Sequence, residues 1–110
     1  MSILNINNIS KKYKVITLCG STKFKKTFDK VNLLATLDNR IILQPGCYAH
    51  YDNIHITDEE KEKLDILHKE KILMSDCIII INDNNYIGLS TKSEINYALH
   101  NNIPIYYYFI

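Results

Sequence analysis

The chain reads as an α/β domain built on a small, doubly wound parallel sheet. Three observations point there. Apolar runs of strand length alternate with segments whose apolar residues recur at helical spacing. Each crossover is long enough for a right-handed βαβ connection. One run, Cys77 to Ile81, is apolar on both faces, as a central strand covered by helices on each side must be. With 110 residues the chain has the size of a single domain, read as a polar leader over residues 1–13 and one folded unit over 14–110.

The elements follow in order. Residues 1–12 are Asn-rich and aperiodic, and they read as a loose leader or a short edge segment. Val15 to Cys19 is a strand ended by Gly20-Ser21-Thr22, after which Phe24, Phe28, Val31 and Ala35 mark an amphipathic helix. Arg40 to Leu43 is a second strand, closed by the turn residues Pro45-Gly46. A Tyr- and His-bearing loop, Cys47 to Ile56, leads to Thr57-Asp58-Glu59-Glu60, a capping box opening a helix with Leu64, Leu67 and Ile72 on its buried stripe. The Cys77 to Ile81 strand is expected in the middle of the sheet. A helix from about Lys92 to His100 follows, with Ile95, Ala98 and Leu99 facing inward, and Ile103 to Phe109 forms the last strand, with Pro104 at its beginning.

Charge and cysteine content narrow the function classes. Lys and Arg number 13 against 12 Asp and Glu, a formal net charge of +1, so there is no basic field to attract a nucleic-acid polymer. The apolar runs are far shorter than the ~20 residues of a membrane-spanning helix, and no signal-peptide pattern opens the chain. A cytoplasmic location without a membrane partner is expected. Three cysteines, Cys19, Cys47 and Cys77, are odd in number and widely spaced, against a disulfide framework. Cys47, His50 and His55 resemble part of a zinc site, but no further pair completes four ligands, so neither a metal nor a cofactor is expected.

In doubly wound sheets, ligands bind beyond the carboxyl ends of the strands. That rule selects the loops 20–23, 44–56 and 82–94. In the first, Gly20, Ser21, Thr22 and Lys23 bring free N–H groups, two hydroxyls and an ammonium to a helix start, which suits an anion; Ser21 or Thr22 capping the helix is the plainer alternative. A Walker A loop is absent, against nucleoside triphosphate hydrolysis. In the third, Glu94 lies one turn into a helix over the central strand, where the helix dipole and N–H donors are expected to lower its pKa and keep it a nucleophile. Thr91 to Glu94 is equally a capping box, in which Glu94 would only bind the Thr91 N–H. Tyr48, His50, Tyr51 and Tyr86 are candidates to stack on a base, or simply to pack their loops. Asp65 and His68 pair on one helix face and most simply satisfy each other. The charge-rich segment from Asp58 to Lys63 reads as a solvated face.

Three of these segments carry a resemblance: Leu18-Cys19-Gly20-Ser21 after the first strand, Ser75-Asp76 before the third, and Gly-x-Ser-x-x-x-Glu-Ile-x-Tyr-Ala from Gly88 to Ala98. Together they resemble the nucleoside 2-deoxyribosyltransferase superfamily, in the region of the 2′-deoxynucleoside 5′-monophosphate N-glycosidases. The likeness runs from about Lys14 to the end. It implies a flavodoxin-like α/β/α fold and chemistry at an N-glycosidic bond, either hydrolysis or sugar transfer on a nucleoside or its 5′-monophosphate. Glu94 matches the nucleophile and Asp76 the acid that protonates the leaving base. Gly20, Ser21, Thr22, Gly88 and Ser90 match the phosphate-binding positions, with Lys23 assisting. The resemblance also implies a homodimer or larger homo-oligomer. The transferase branch's aspartate ahead of the nucleophile is replaced by Gly88-Leu89-Ser90, which counts against base exchange. A non-catalytic nucleotide-binding sensor on the same fold is the alternative.

Overall fold

All five side chains of Cys77–Ile81 are buried, and this run of one cysteine and four isoleucines organises the molecule. In the computed structural model, which describes residues 2–110, four parallel strands line up in the order β2-β1-β3-β4. They are β1 (Val15–Gly20), β2 (Ile41–Leu43), β3 (Cys77–Ile81) and β4 (Ile105–Tyr107). The three α-helices are α1 (Lys25–Leu37), α2 (Asp58–Leu73) and α3 (Leu89–His100). The result is the expected flavodoxin-like, doubly wound α/β arrangement, with β1 and β3 paired at its centre.

Period-two alternation along the central strands divides the core. Ile16, Leu18, Cys77, Ile79 and Ile81 pack against Phe28, Val31 and Ala35 of α1. Cys19, Ile78 and Ile80 face the other way, onto Ile72 of α2 and Ala98 of α3. The α2 start is the capping box read from the sequence: Thr57 Oγ1 accepts from Glu60 N at 3.1 Å, and Thr57 N donates to Glu60 Oε1 at 3.0 Å.

Several boundaries and faces differ from expectation. Between β1 and α1 lies a single 3-10 turn, Thr22–Phe24. Helix α3 begins at Leu89, a turn earlier than expected, because Gly88 in extended backbone serves as its N-cap. Leu67 and Leu99 are about half exposed or more, and the buried stripes instead carry His68 and Ile72 on α2 and Thr91, Glu94 and Ala98 on α3. The last strand is shorter than the Ile103 to Phe109 span, and Phe109 pairs with Ile3 in an isolated antiparallel bridge.

The N-terminal segment is not a loose leader over residues 2–13. Ile6 and Ile9 are buried with the α1 face of the core. Their backbone carbonyls accept from the buried Arg40 guanidinium, Ile9 at 2.8 Å and Ile6 at 3.4 Å, as do Ser10 and Tyr13 at 2.9 Å each. Arg40 Nε also donates to Asp38 Oδ2 at 3.0 Å. A planar guanidinium with five donors thus gathers four carbonyls of a segment that forms little regular structure.

Candidate active site

The site is the polar layer directly above the α2–α3 side of the core. Cys19 follows Thr17 on the same face of β1, His68 precedes Ile72 by four residues on α2, and Glu94 precedes Ala98 by four on α3. Since i and i+4 share a helix face and i and i+2 a strand face, each of these three side chains sits one step beyond a buried residue, Thr17, Ile72 or Ala98, toward the carboxyl ends of the strands. One thiol sulfur, one imidazole nitrogen and one carboxylate oxygen from the trio lie within 4.8 Å of one another. All three residues are buried.

Above them opens a cavity of about 730 Å³. Its walls are the Gly20-Ser21-Thr22 turn, Lys61, Asp65 and His68 of α2, and Tyr86, Gly88, Ser90 and Glu94. The volume falls in the ~300–1,000 Å³ range of small-molecule sites. Its position, beside the β1 and β3 ends where the chain winds in opposite directions, is that of ligand clefts in such sheets. The close approach of β1 to β3 there requires glycine: a Cβ on Gly20 would lie 2.6 Å from the Ile81 carbonyl oxygen.

Glu94 is 8% exposed and lines the cavity. It does not act as a cap. Helix α3 starts at Leu89, so Glu94 lies beyond the first turn, out of reach of the N-cap, and no hydrogen bond ties its carboxylate to the main chain among the described residues. That same position reverses the expected electrostatics. Burial, then the Asp65 charge, pushes Glu94 up to about 7, with Lys69 and Lys61 opposing. The free N–H groups of the helix start lie too far back along α3 to hold it low.

His68 and Cys19 complete the environment. Both His68 ring nitrogens are buried and make no hydrogen bond of normal geometry, and burial, then the Lys71 charge, pushes the imidazole down to about 4, with the nearby Leu18 backbone and the Asp65 charge opposing. Burial and the neighbouring Glu94 charge raise the Cys19 thiol well above its usual range. At neutral pH the imidazole and thiol are therefore uncharged, and Glu94 is divided between its two forms. Asp65 does not pair with His68 as expected; its carboxylate takes the Lys61 ammonium at 3.2 Å.

The remaining predicted residues divide between the cavity and elsewhere. Gly20, Ser21, Thr22, His50, Tyr86, Gly88 and Ser90 line it. Ser21 also caps the 3-10 turn, its side chain accepting from Lys23 N at 3.4 Å, as the plainer alternative expected. Thr22 Oγ1 accepts from His50 N at 3.4 Å, joining the first loop to the second. Lys23 turns aside, its ammonium 3.5 Å from the centre of the Tyr86 ring. Tyr48 is a core residue, packed edge-on against Phe28 with its hydroxyl donating to Gln44 Oε1 at 2.9 Å, because the apolar side of α1 claims its ring. Tyr51 lies outside the cavity wall, its ring beside the Lys25 ammonium at 5.6 Å.

Asp76 is not at this site. It precedes β3, at the amino ends of the strands, and its Oδ2 accepts from Val15 N at 2.9 Å. The carboxylate closes the start of β1 at the edge opposite the cavity, so it cannot protonate a group held beside Glu94.

Lysines on α2 supply what the motifs did not indicate. Lys61 donates to Ser90 Oγ at 2.9 Å, and Lys69 donates to Ser93 Oγ at 2.9 Å, joining α2 to α3. Lys71 donates to the Gln44 carbonyl at 2.7 Å and holds the second loop. Lys61 therefore reaches the cavity from a segment that reads as a solvated face. Comparison with known proteins finds no significant match to a family model, a curated protein or a solved structure.

Proposed function

We propose that the chain breaks the N-glycosidic bond of a deoxynucleoside or nucleoside, or of its 5′-monophosphate, using Glu94 as nucleophile. The observation that carries this reading is a buried carboxylate facing a nucleotide-sized cavity and unbound by its own main chain. A Glu94 oxygen attacks the anomeric carbon, and the carbon–nitrogen bond breaks with its electron pair passing to the base. The base takes a proton from cavity water. The ester left on Glu94 is then opened by water, releasing the sugar, or by a second base, completing transfer.

We assign the anionic end of such a substrate to the part of the cavity between the first loop and the start of α3. Ser21, Thr22 and Ser90 supply hydroxyls, the first turn of α3 supplies backbone N–H groups, and Lys61 supplies the positive charge that Lys23 does not bring. His50 and Tyr86 offer rings to the base. Hydrolysis is favoured over transfer because no carboxylate precedes Glu94 in the Gly88-Leu89-Ser90 stretch.

The test is incubation with a panel of nucleosides and their 5′-monophosphates, with free base measured by chromatography. Base release by the wild-type chain and its reduction by at least about a hundredfold in Glu94→Gln, which keeps the side-chain volume, is the expected result. Equal release by the variant defeats the assignment, and tight nucleotide binding without release favours the sensor.

Two features of the setting belong to the same proposal. We assign the chain to the cytoplasm, which its three free cysteines support; no helix of the described residues is long and apolar enough to cross a membrane. A homodimer is proposed because Leu67 and Met74 line the cavity yet remain more than half exposed, an apolar rim that a second copy would cover. Light scattering at micromolar concentration is expected to give twice the 12.8 kDa chain mass, and a monomer contradicts it.

A further inference from the structure

Cys19, His68 and Glu94 come from three different elements, β1, α2 and α3, and they converge without any hydrogen-bonded partner for the imidazole. A buried polar atom left unpaired loses its hydration without compensation and destabilises the fold. His68 carries two such nitrogens while only 7% exposed. Its burial is explained if something other than a protein group satisfies it.

We propose that Cys19, His68 and Glu94 bind a transition-metal ion of the zinc type, with a fourth position open to the cavity. The donor set argues for this class of ion. Thiolate, imidazole and carboxylate suit zinc and its neighbours, whereas magnesium and calcium take oxygen ligands almost exclusively. Three protein ligands with one open position is also the composition of many reactive zinc sites.

The geometry is close to what is needed. Tetrahedral bonds of about 2.0–2.3 Å set donor atoms about 3.5 Å apart. The trio's atoms lie within 4.8 Å of one another, so small side-chain rotations close the set. Binding displaces the thiol proton of Cys19 to solvent and engages Glu94 as carboxylate and His68 as neutral imidazole. Two anionic donors then balance a divalent ion, so the buried layer stays neutral. The neighbouring Asp65 is already matched with Lys61.

This inference goes beyond the proposed glycosidic chemistry and does not depend on it. An ion held by Glu94 draws on the carboxylate electrons that would attack sugar, so the metal-bound form is the inhibited form of that activity.

The experiment uses the full chain, stripped with chelator under reducing conditions and titrated with cobalt(II). The expected result is one cobalt per chain, with a thiolate-to-metal charge-transfer band in the near ultraviolet and the intense visible bands of four-coordinate cobalt, displaced by zinc. Cys19→Ser removes the charge-transfer band, His68→Gln weakens binding at least tenfold, and Cys47→Ser, outside the trio, leaves both unchanged. No charge-transfer band in the wild-type chain overturns the proposal, as does its loss in Cys47→Ser or its persistence in Cys19→Ser. Because the wild-type spectrum decides alone, a variant that fails to fold does not rescue it. Base release without a cobalt band sinks the metal and keeps the glycosidic reading; a band without base release does the reverse.

Discussion

Glu94 and His68 are displaced from their ordinary protonation behaviour in opposite directions by the same cause, removal from water. Glu94 rises from 4.5 to about 7, so the folded state holds its proton more tightly than the unfolded one. Its neutral carboxyl is tolerated better than its carboxylate, and stability falls as pH rises from about 4.5 through 7, by about 3 kcal/mol in all. His68 falls from 6.5 to about 4, so stability is lost instead as pH drops from about 6.5 through 4. Between these limits the two nearly offset each other. Glu94→Gln removes one side of the balance: in chelator, its stability relative to wild type should improve by about 3 kcal/mol between pH 4.5 and pH 8 in urea unfolding. Parallel stability curves for the two proteins would show that Glu94 is not held as described. Lys61, Lys69 and Asp65 are the charged groups around Glu94, and Lys71 and Asp65 those around His68, so salt should shift both limits modestly.

Read at the level of elements, much of the fold was legible because each signal is local. The Thr57 capping box, the doubly apolar Cys77–Ile81 strand and the Phe28-Val31-Ala35 stripe all state their own surroundings. The start of α3 differs from the expected Lys92 because Thr91 and Glu94 fit a capping pattern that Gly88, three residues earlier, pre-empts. The site divides along the same line. Gly20, Ser21, Thr22, Ser90 and Glu94 were legible because they lie at or just past strand ends and at the start of the following helices. Cys19 and His68 belong to buried faces, where a thiol and an imidazole look like core residues until β1, α2 and α3 are packed together. Their periodic relation to Thr17 and Ile72 was the available signal. Asp76 failed for want of one distinction, which end of the strand a flanking residue occupies: it follows α2 and precedes β3, while the cleft lies past the other end.

Across the whole molecule, the N-terminal segment and the chain end close one side of the fold together. Ser2 and Ile110 exchange backbone hydrogen bonds of 3.0 and 2.8 Å, and Asn82 binds both backbone groups of Phe109 at 2.9 and 3.0 Å. Arg40 anchors the rest of the segment. Arg40→Ala strands the carbonyls of Ile6, Ile9, Ser10 and Tyr13, and a loss of about 3 kcal/mol or more is expected in urea unfolding at pH 7. A loss under about 1 kcal/mol would mean the segment is dispensable to the fold. This anchoring lies on the α1 side of the sheet, away from the Cys19–His68–Glu94 layer on the other face.

The most direct measurement is of the bond that the mechanism requires. The full chain is mixed with the nucleotide whose base it releases fastest, quenched in acid within a turnover, digested and analysed by mass spectrometry. The account predicts a peptide containing Glu94 heavier by the sugar or sugar phosphate, and no such peptide from Glu94→Gln. Base release with an unmodified Glu94 peptide, or with the added mass on another residue, would contradict it.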